Sequence, residues 1–269
     1  MKIASAVLAT VVLCRIASAA TPGIQGFWRL GEGDAGVVIG GAAGNATADS
    51  SGNSNVLGLS GSPAPTFSSL AAPKNSTVSM LFGGTSNYAG PAMNTGTDNW
   101  GIEIWAYPTS AGNRVVIYNG NTSNAGYGIY QHTSNWALLY GGIILQDAAP
   151  VALNQWTDLA LVRSNGSATL YVNGVAHALT TATPNAVAGN MVIAANQLGT
   201  ERFVGYLDEG RLFTVSGGFD PANLQVNGPG GPATSAAGAP ALSGFGLLLL
   251  ATLLVAVATG AMVRMRRQE

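Results

Sequence analysis

Apolar and polar residues alternate most clearly in the segment WTDLALVRSNGSATLYVNGVAHAL, which starts at Trp156. The alternation runs on both sides of Asn165-Gly166. Asn-Gly tolerates the positive φ values of a type I′ turn, so two alternating runs flanking it indicate a β-hairpin. Asn173-Gly174 then turns the chain again. The pattern predicts a meander of three strands.

Further apolar runs, spaced about ten residues apart, have the length of strands. They are 24–30, 78–82, 100–107, 114–119, 127–132, 136–145, 191–196 and 203–213. No amphipathic helical pattern longer than a turn or two lies among them. We therefore predict an all-β fold, an antiparallel β-sandwich. Its expected core residues are Trp28, Phe82, Ile102, Ile104, Trp136, Leu161, Tyr171 and Leu207.

The composition agrees with strands joined by turns. Charged residues make up only 9% of the chain, and glycines number 37, about twice the usual share of roughly 7%. A chain so poor in charge cannot present much helical surface to water, and Gly, Ser, Thr, Asn and Pro fill the stretches between the apolar runs.

The N-terminus has the pattern of a secretory signal peptide. Residues 1–20 combine a positively charged start, an apolar stretch and the cleavage pattern Ala17-Ser18-Ala19. Cys14, the only cysteine, lies inside this segment. We therefore expect an exported mature protein without a disulfide.

The C-terminus has the pattern of a membrane segment behind a linker. Residues 228–240 are rich in Pro, Gly and Ala, which is typical of a flexible linker. Leu242–Val263 carry no charge and are long enough to span a hydrocarbon core of about 30 Å, and arginines follow them. We expect residues 21–227 to form the sandwich and residues 241–269 one transmembrane helix with a basic tail.

The expected exported part is acidic. Residues 21–240 hold 11 of the 12 acidic residues and 6 of the 11 basic ones, so their net charge is −5. An excess of negative charge repels phosphate backbones, which argues against a nucleic-acid partner. It is compatible with a cation-binding surface and also with simple solubility.

The stretch GEGDAG, residues 31–36, has the glycine spacing of a dinucleotide-binding turn. Such a turn should open a helix in a β-α-β unit. Here the β-branched, Gly-rich run VVIGGAAGNATA follows, and Glu32 and Asp34 would repel a phosphate. The stretch instead indicates a loop after the first strand.

Six segments follow one another in an order that is typical of one fold family. They are FWRLGEG, ADSSGN, SMLFGGTSNYA, WGIEIWAYPT, QWTDLALVRSNGSATLYVNG and FVGYLDEGRLF, all between residues 24 and 226. In them the chain resembles laminin-G-like domains of the concanavalin A-like lectin/glucanase group. The resemblance implies a two-sheet jelly-roll sandwich that binds carbohydrate, protein or matrix ligands and often carries calcium, and it does not imply catalysis.

The tail has a resemblance of its own. APALSGFGLLLLA, residues 239–251, is similar to the IPTL-CTERM class of bacterial C-terminal sorting signals, with Phe245 where that class usually has Trp. The resemblance implies a sorting protease as a partner. A plain membrane anchor is the alternative.

A calcium site is expected from three acids. Calcium takes several oxygen ligands, and the resemblance implies that the first and last strands are adjacent. That arrangement would bring Glu32, Asp49 and Asp208 toward one edge. The alternative is that Asp49 caps a turn and that Asp208 bonds to backbone within the sheet.

Ligand binding is expected in the segment 119–136 and its borders, where aromatic rings that could stack on sugars lie near amide groups. The candidate residues are Tyr118, Asn121, Tyr127, Tyr130 and Trp136. We expect their rings to be exposed. Tyrosines chosen only for strand propensity are the alternative.

No catalytic constellation is recognised. The E-x-D-x-x-E pattern of laminarinase-like relatives fails at Val37, and Glu103, expected to face solvent or a groove, is a lone acid. His132 and His177 lack ligand spacing. We therefore expect a bacterial, exported, non-catalytic binding or adhesion module, anchored at the cell surface or released from it. A glycan-active hydrolase and a structural surface or matrix protein are the alternatives.

Overall fold

The computed structural model describes residues 21–74 and 76–227. The predicted signal peptide, the linker, the transmembrane helix and the sorting segment lie outside these residues and stay predictions. In the part of the chain that is described, no helix is both long and apolar enough to cross a membrane. The described residues form an all-β antiparallel sandwich, as the sequence predicts.

Sixteen strands follow one another along the described residues, with a single short 3₁₀ turn at Pro221–Asn223. The strands are β1 Gly23–Trp28, β2 Ala46–Thr47, β3 Leu57–Gly61, β4 Thr66–Ser68, β5 Ser79–Gly83, β6 Ser86–Gly90, β7 Trp100–Pro108, β8 Arg114–Asn121, β9 Ala125–His132, β10 Asn135–Tyr140, β11 Ile144–Pro150, β12 Thr157–Ser164, β13 Ser167–Val172, β14 Val175–Thr180, β15 Asn190–Ile193 and β16 Val204–Thr214.

The strands form two eight-stranded sheets. Sheet A has the order β14-β13-β12-β7-β16-β5-β4, and β1 also pairs with β16. Sheet B has the order β11-β10-β9-β8-β15-β6-β3-β2. The long strand β16 pairs with β7 along most of its length, with β5 near its start and with β1 near its end. The first and last strands are therefore adjacent, as expected.

The core lies between the inner faces of the two sheets, and it contains every predicted core residue except Tyr171. In β13 the inward side chains are Ala168 and Leu170, so the alternation turns Tyr171 to the outer face, where its ring packs on Phe219 at 5.7 Å. The prediction for Tyr171 was wrong because both sides of this hairpin strand are partly apolar. The outer face of a sheet is used below for the side turned away from this core.

The turns of the predicted meander are confirmed. Asn165 and Gly166 have φ values of 51° and 79°, and Asn173 and Gly174 have 51° and 77°. The predicted strand 136–145 is wrong in one respect, because residues 141–143 form a turn that separates β10 from β11. Strands β2, β3, β4 and β6 were not predicted, since they are short and rich in Gly, Ser and Thr.

Candidate cation and ligand site

A β-bulge in β16 places two consecutive acidic side chains on one side of sheet A. The register of β16 against β7 shifts between Asp208 and Arg211, and Glu209 has a φ of 51°. In a regular strand, neighbouring side chains point to opposite faces. The extra residue of the bulge removes that restriction, so Glu209 joins Asp208 instead of pointing into the core.

A third carboxylate reaches this point from the turn after β1. The GEGDAG stretch is a turn in which Gly31 and Gly33 have φ values of 149° and 88°, conformations that favour glycine. It carries Glu32 to the bulge, where carboxylate oxygens of Glu32, Asp208 and Glu209 lie within 4.8 Å of one another. We call these three residues the carboxylate cluster.

The loop before β5 fixes one oxygen of Glu32. Oε1 accepts hydrogen bonds from the Thr77 hydroxyl at 3.0 Å, from the Val78 N–H at 2.9 Å and from the Thr77 N–H, and the Ser76 hydroxyl oxygen lies 3.0 Å away. The carboxylate is therefore held in one orientation before any ligand binds. This is the kind of preorganisation that a metal ligand needs.

One oxygen of each of the other two acids is fixed in the same way. Oδ2 of Asp208 accepts from the Ala72 N–H at 2.9 Å and from the Ser76 hydroxyl at 2.7 Å. Oε1 of Glu209 accepts from Nε and Nη2 of Arg29 at 2.8 and 2.7 Å. Each acid thus has one anchored oxygen.

The second oxygen of each acid is buried and has no hydrogen-bond partner. These atoms are Glu32 Oε2, Asp208 Oδ1 and Glu209 Oε2. A buried acceptor without a donor is costly, and carboxylates as close together as these three repel one another when they are ionised. Hard cations such as Ca²⁺ bind carboxylate oxygens, so the chemistry of this donor set fits a cation.

The electrostatics show which acids resist ionisation when no cation is present. Burial, reinforced by Glu209 and Glu32, raises the pKa of Asp208 well above its usual value. Burial also raises the pKa of Glu209, against the opposing effect of Arg29. Burial pushes the pKa of Glu32 up as well, but the N–H groups of the fixing loop outweigh it and the pKa is lowered. A bound cation would offset the cost of ionising Asp208, whose pKa is the one raised well above its usual value.

Asp49, the remaining predicted calcium ligand, lies outside the carboxylate cluster. Its Oδ1 accepts from the N–H groups of Phe27 and Ser51 at 2.9 Å each. Its Oδ2 accepts from the Ser51 hydroxyl and the Asn55 N–H at 2.8 Å each. These bonds tie the ADSSGN loop to β1, which is the turn-capping role that the sequence left open.

The predicted ligand residues do not form an exposed surface, and the expectation that their rings are exposed is wrong. Tyr118, Tyr127 and Trp136 are 0% exposed and Tyr130 is 5% exposed. The three tyrosines lie in the β8–β9 hairpin, which is in the interior of sheet B between β15 and β10, and Trp136 lies in β10. Asn121 is partly exposed and accepts from Gln197 Nε2 at 2.7 Å.

Specific partners account for the burial of these rings. Tyr127 stacks on Trp100 of sheet A with 3.5 Å between centroids. The Tyr130 hydroxyl donates to Glu201 at 2.7 Å. This bond holds the loop after β15, which contains Glu201, over the Tyr130 ring. Both contacts join segments far apart in sequence, so the local pattern could not reveal them.

A different set of aromatic rings is partly exposed on the outer face of sheet A. Tyr206 of β16 is paired with Tyr107 of β7. Their ring centroids are 5.4 Å apart and the rings are perpendicular. The ring of Trp156, the residue directly before β12, lies 5.6 Å from the Tyr107 ring. All three are partly exposed. We call Trp156, Tyr107 and Tyr206 the aromatic row.

The aromatic row adjoins the carboxylate cluster. Tyr206 and Asp208 are two residues apart on β16 and share its outer face, because Leu207 between them points into the core. The sequence-based prediction passed over Tyr206 and Trp156. The signal was the alternation in GYLDE, which puts an aromatic ring and an acid on one face.

The expectation for the side chain of Glu103 is also wrong. It is fully buried on the outer face of sheet A, not directed to solvent or a groove, and it forms an ion pair with Arg211. Asp158, also fully buried, lies on the neighbouring strand β12, and neither of its carboxylate oxygens has a hydrogen-bond partner. Residues 219–227 cover the ion pair.

The class that these observations define is a two-sheet β-sandwich of lectin type. Residues 82–216 match the model of the concanavalin A-like lectin/glucanases superfamily, in its laminin-G form. The chain belongs to this family, which confirms the resemblance seen in the sequence. No curated protein matches the chain.

Three solved structures share the fold. Domain 4 of the extracellular arabinanase AbnA from Geobacillus stearothermophilus, in complex with arabinotriose, has a TM-score of 0.57 at 18% identity, covering 80% of this chain and 100% of that domain. Trypanosoma rangeli sialidase with sialic acid has 0.50 at 12%, covering 76% of this chain and 32% of the sialidase. The botulinum neurotoxin type G receptor-binding domain has 0.50 at 12%, covering 76% and 50%. The chain thus spans about a third of the sialidase and half of the neurotoxin domain. At these identities the likeness shows the fold alone.

Proposed function

We propose that this protein is a calcium-stabilised, non-catalytic module that binds carbohydrate. The observation that carries the proposal is the aromatic row beside the carboxylate cluster. Partly exposed rings offer apolar faces to sugar rings, and neighbouring polar groups can orient the hydroxyls, as in small-molecule sites generally. Family membership and the arabinanase domain solved with arabinotriose support a carbohydrate as the ligand class.

Calcium is proposed as a structural ligand of the carboxylate cluster. Glu32, Asp208 and Glu209 would each supply the oxygen that has no partner, while Arg29 and the loop before β5 hold the other oxygens. The cation would neutralise the repulsion between these three acids, of which Asp208 and Glu209 are buried. It would also fix the bulge, and with it the strand that carries Tyr206.

The absence of catalysis is proposed from the acid geometry. Retaining glycosidases hold two carboxyl groups about 5–5.5 Å apart and inverting ones hold them further apart, because a sugar or a water must fit between them. Glu103 and Asp158 are both fully buried, and Glu103 is paired with Arg211. In the carboxylate cluster every acid is already engaged by the loop or by Arg29.

The setting of the module is proposed from the terminal patterns. A signal peptide, a linker and a hydrophobic segment with a basic tail would place residues 21–227 outside the cell, tethered to the membrane or released by a sorting protease. A surface or matrix protein would then be a second kind of partner.

The test is binding of the full chain to a carbohydrate panel that contains arabinotriose, arabinan, xylan and mixed-linkage β-glucan, with reducing-sugar release measured alongside. Trp156→Ala and Tyr206→Ala should weaken binding about 30-fold each, since truncating a central aromatic anchor costs about 2 kcal/mol.

Tyr171→Ala is the matched control, because Tyr171 is a half-buried tyrosine on the same outer face of sheet A. It should bind like the parent. Equal binding by all three variants would refute the aromatic row as the ligand site. Sugar release that Glu32→Gln abolishes would refute the non-catalytic assignment and favour a hydrolase.

A further inference from the structure

Both sheets end in strands with one free edge, and most of these edges are protected against pairing with another chain. In sheet A, residues 40–43 bond to β4, and the ADSSGN loop bonds to β1 through the Ser50 N–H and the Asp49 carboxylate. In sheet B, β2 has only two residues, and β11 carries Asp147 and Pro150. Covering loops, short strands, charges and prolines are the means by which natural sheets avoid edge-to-edge association.

Among the described edges, that of β14 lacks such protection along residues 175–178. β14 is the terminal strand of sheet A, and no other segment of residues 21–74 and 76–227 pairs with its free side. Residues 164–200 contain no Asp, Glu, Lys or Arg. The register of β14 on β13 is regular from Val175 to Ala178, and its irregularity lies beyond them. The edge is therefore regular, uncharged and open to a further strand.

The turn before β14 determines which backbone groups reach the free edge. Val172 and Val175 flank the two-residue turn Asn173-Gly174 and are paired in register, so they exchange the hydrogen bonds that close the turn. Hydrogen-bonded and non-hydrogen-bonded pairs alternate along an antiparallel ladder. Ala176 and Ala178 are therefore the residues whose N–H and C=O groups point away from β13, toward the open side.

The side chains of this edge are self-complementary about His177. If a second copy of β14 pairs antiparallel with the first around this residue, Ala176 lies opposite Ala178 of the copy. Val175 lies opposite Leu179 in the same way, and the two His177 residues face each other. The alanine pairs are the ones with outward backbone groups, so each exchanges two hydrogen bonds, about four in all. The edge thus matches its own copy in side-chain size and in backbone donors and acceptors.

We propose that β14 is a homodimerisation edge, at which two copies of this chain pair antiparallel about His177 and join their sheets A into one continuous sheet. A two-fold axis perpendicular to the sheet relates the copies, so the interface is isologous and closed. Both outer faces then point to the same side. The interface does not depend on carbohydrate or calcium binding; only its consequence, a dimer with two carbohydrate sites on one side, rests on the proposed function.

The chain's own continuation is a poorer occupant of this edge. The described chain ends close to the start of β14, since a Cβ added at Gly174 would lie 3.2 Å from the Val226 side chain. The sequence that follows, residues 228–232, is GPGGP. Proline cannot donate to a ladder, and glycine weakens a strand. A second copy of β14 offers the matched strand that this continuation lacks.

The test is disulfide trapping at the proposed two-fold axis, because a dimer held by one strand edge buries little area and a cross-link captures it. Opposed residues of a non-hydrogen-bonded pair have Cα atoms about 4.5 Å apart, a separation that a disulfide can span. His177→Cys is made in the full chain together with Cys14→Ser, which removes the only native cysteine. After mild oxidation we expect most of this variant to migrate as a covalent dimer on a non-reducing gel.

Val175→Cys, also with Cys14→Ser, is the matched control. Val175 is 61% exposed on the same strand, but the two copies of this position would lie four residues out of register, about 14 Å apart. That distance is too long for a disulfide, so this variant should give at least about tenfold less covalent dimer. Equal trapping in the two cysteine variants, or no trapping in His177→Cys, would overturn the proposal.

A second pair of variants tests the backbone bonds across the edge. Ala176→Pro, added to His177→Cys, removes an outward N–H without removing a donor to β13, so trapping should be lost. Ala176→Ser keeps that N–H and should preserve trapping. The same extent of trapping with proline as with serine at position 176 would contradict strand pairing as the mode of association.

Discussion

Asp208→Asn should abolish stabilisation by calcium and leave the fold intact without it. The amide oxygen can still accept from Ala72 and Ser76, as Oδ2 of Asp208 does. The amide nitrogen would take the place of Oδ1 and could donate to an unpartnered oxygen of Glu32 or Glu209. The variant therefore mimics the protonated acid and loses one of three charged cation ligands.

The magnitude follows from mass action. Extracellular calcium modules have dissociation constants of about 10⁻⁴ M, so about 10 mM calcium is roughly 100 times Kd and stabilises the native state by about 2.7 kcal/mol. For a domain of this size, Tm should rise by about 5–11 °C. Asp208→Asn keeps only two charged ligands, so calcium should raise the Tm of this variant by less than about 2 °C.

The pH dependence has a definite sign. The folded pKa of Asp208 is raised, so the native state without calcium binds more protons than the unfolded chain does between the unfolded and folded pKa values. Stability without calcium therefore falls as pH rises through that window. Calcium replaces the proton, so its effect on Tm should grow with pH. Asp208→Asn should flatten both trends.

The assay is thermal unfolding of the full chain, treated with a chelator and then titrated with calcium at two pH values. Asp49→Asn is the control, because Asp49 lies outside the carboxylate cluster and its oxygens accept from backbone N–H groups. It should lower Tm but keep the calcium shift. No shift in the parent, or an equal shift in Asp208→Asn, would refute the cation site.

Two further predictions concern the sheet itself. Arg211→Met should destabilise the protein by about 3–5 kcal/mol in urea unfolding, because Glu103 is 0% exposed and would keep an unpaired buried charge; a loss below about 1 kcal/mol would contradict this. Gly101→Ala should cost about 1–3 kcal/mol, since its new Cβ would lie 2.2 Å from the Phe213 ring. Gly166→Ala, with nothing within 4 Å of the new Cβ but a φ of 79°, is the control and should cost about 1 kcal/mol, from backbone strain alone.

Local chemistry made part of the fold predictable from the sequence. The Asn-Gly turns at 165 and 173 depend on the φ preference of two adjacent residues, so they were found where they occur. The apolar side of β7 is likewise a property of one strand, and Ile102 and Ile104 lie in the core.

The candidate site was only partly predictable, because its key features are not local. Alternation places Asp208 and Glu209 on opposite faces, and only the bulge in β16 brings them together. The alternation in β7 correctly placed Glu103 on the face away from Ile102 and Ile104. It could not show that residues 219–227 return to cover Glu103. The tyrosines of β8 and β9 were misjudged because the second sheet and the loop after β15 bury them.

The position of β16 has a consequence for how the molecule folds. This strand is the last one among the described residues, yet it is the shared neighbour of β1, β5 and β7. Until Thr214 is available, those three strands lack the partner that aligns them, and the pairing of β1 with β16 closes a loop of nearly the whole domain. Folding dominated by such distant pairings takes milliseconds to seconds. A nascent chain therefore stays open until its final strand arrives, and truncation before Val204 should leave a chain that cannot complete sheet A.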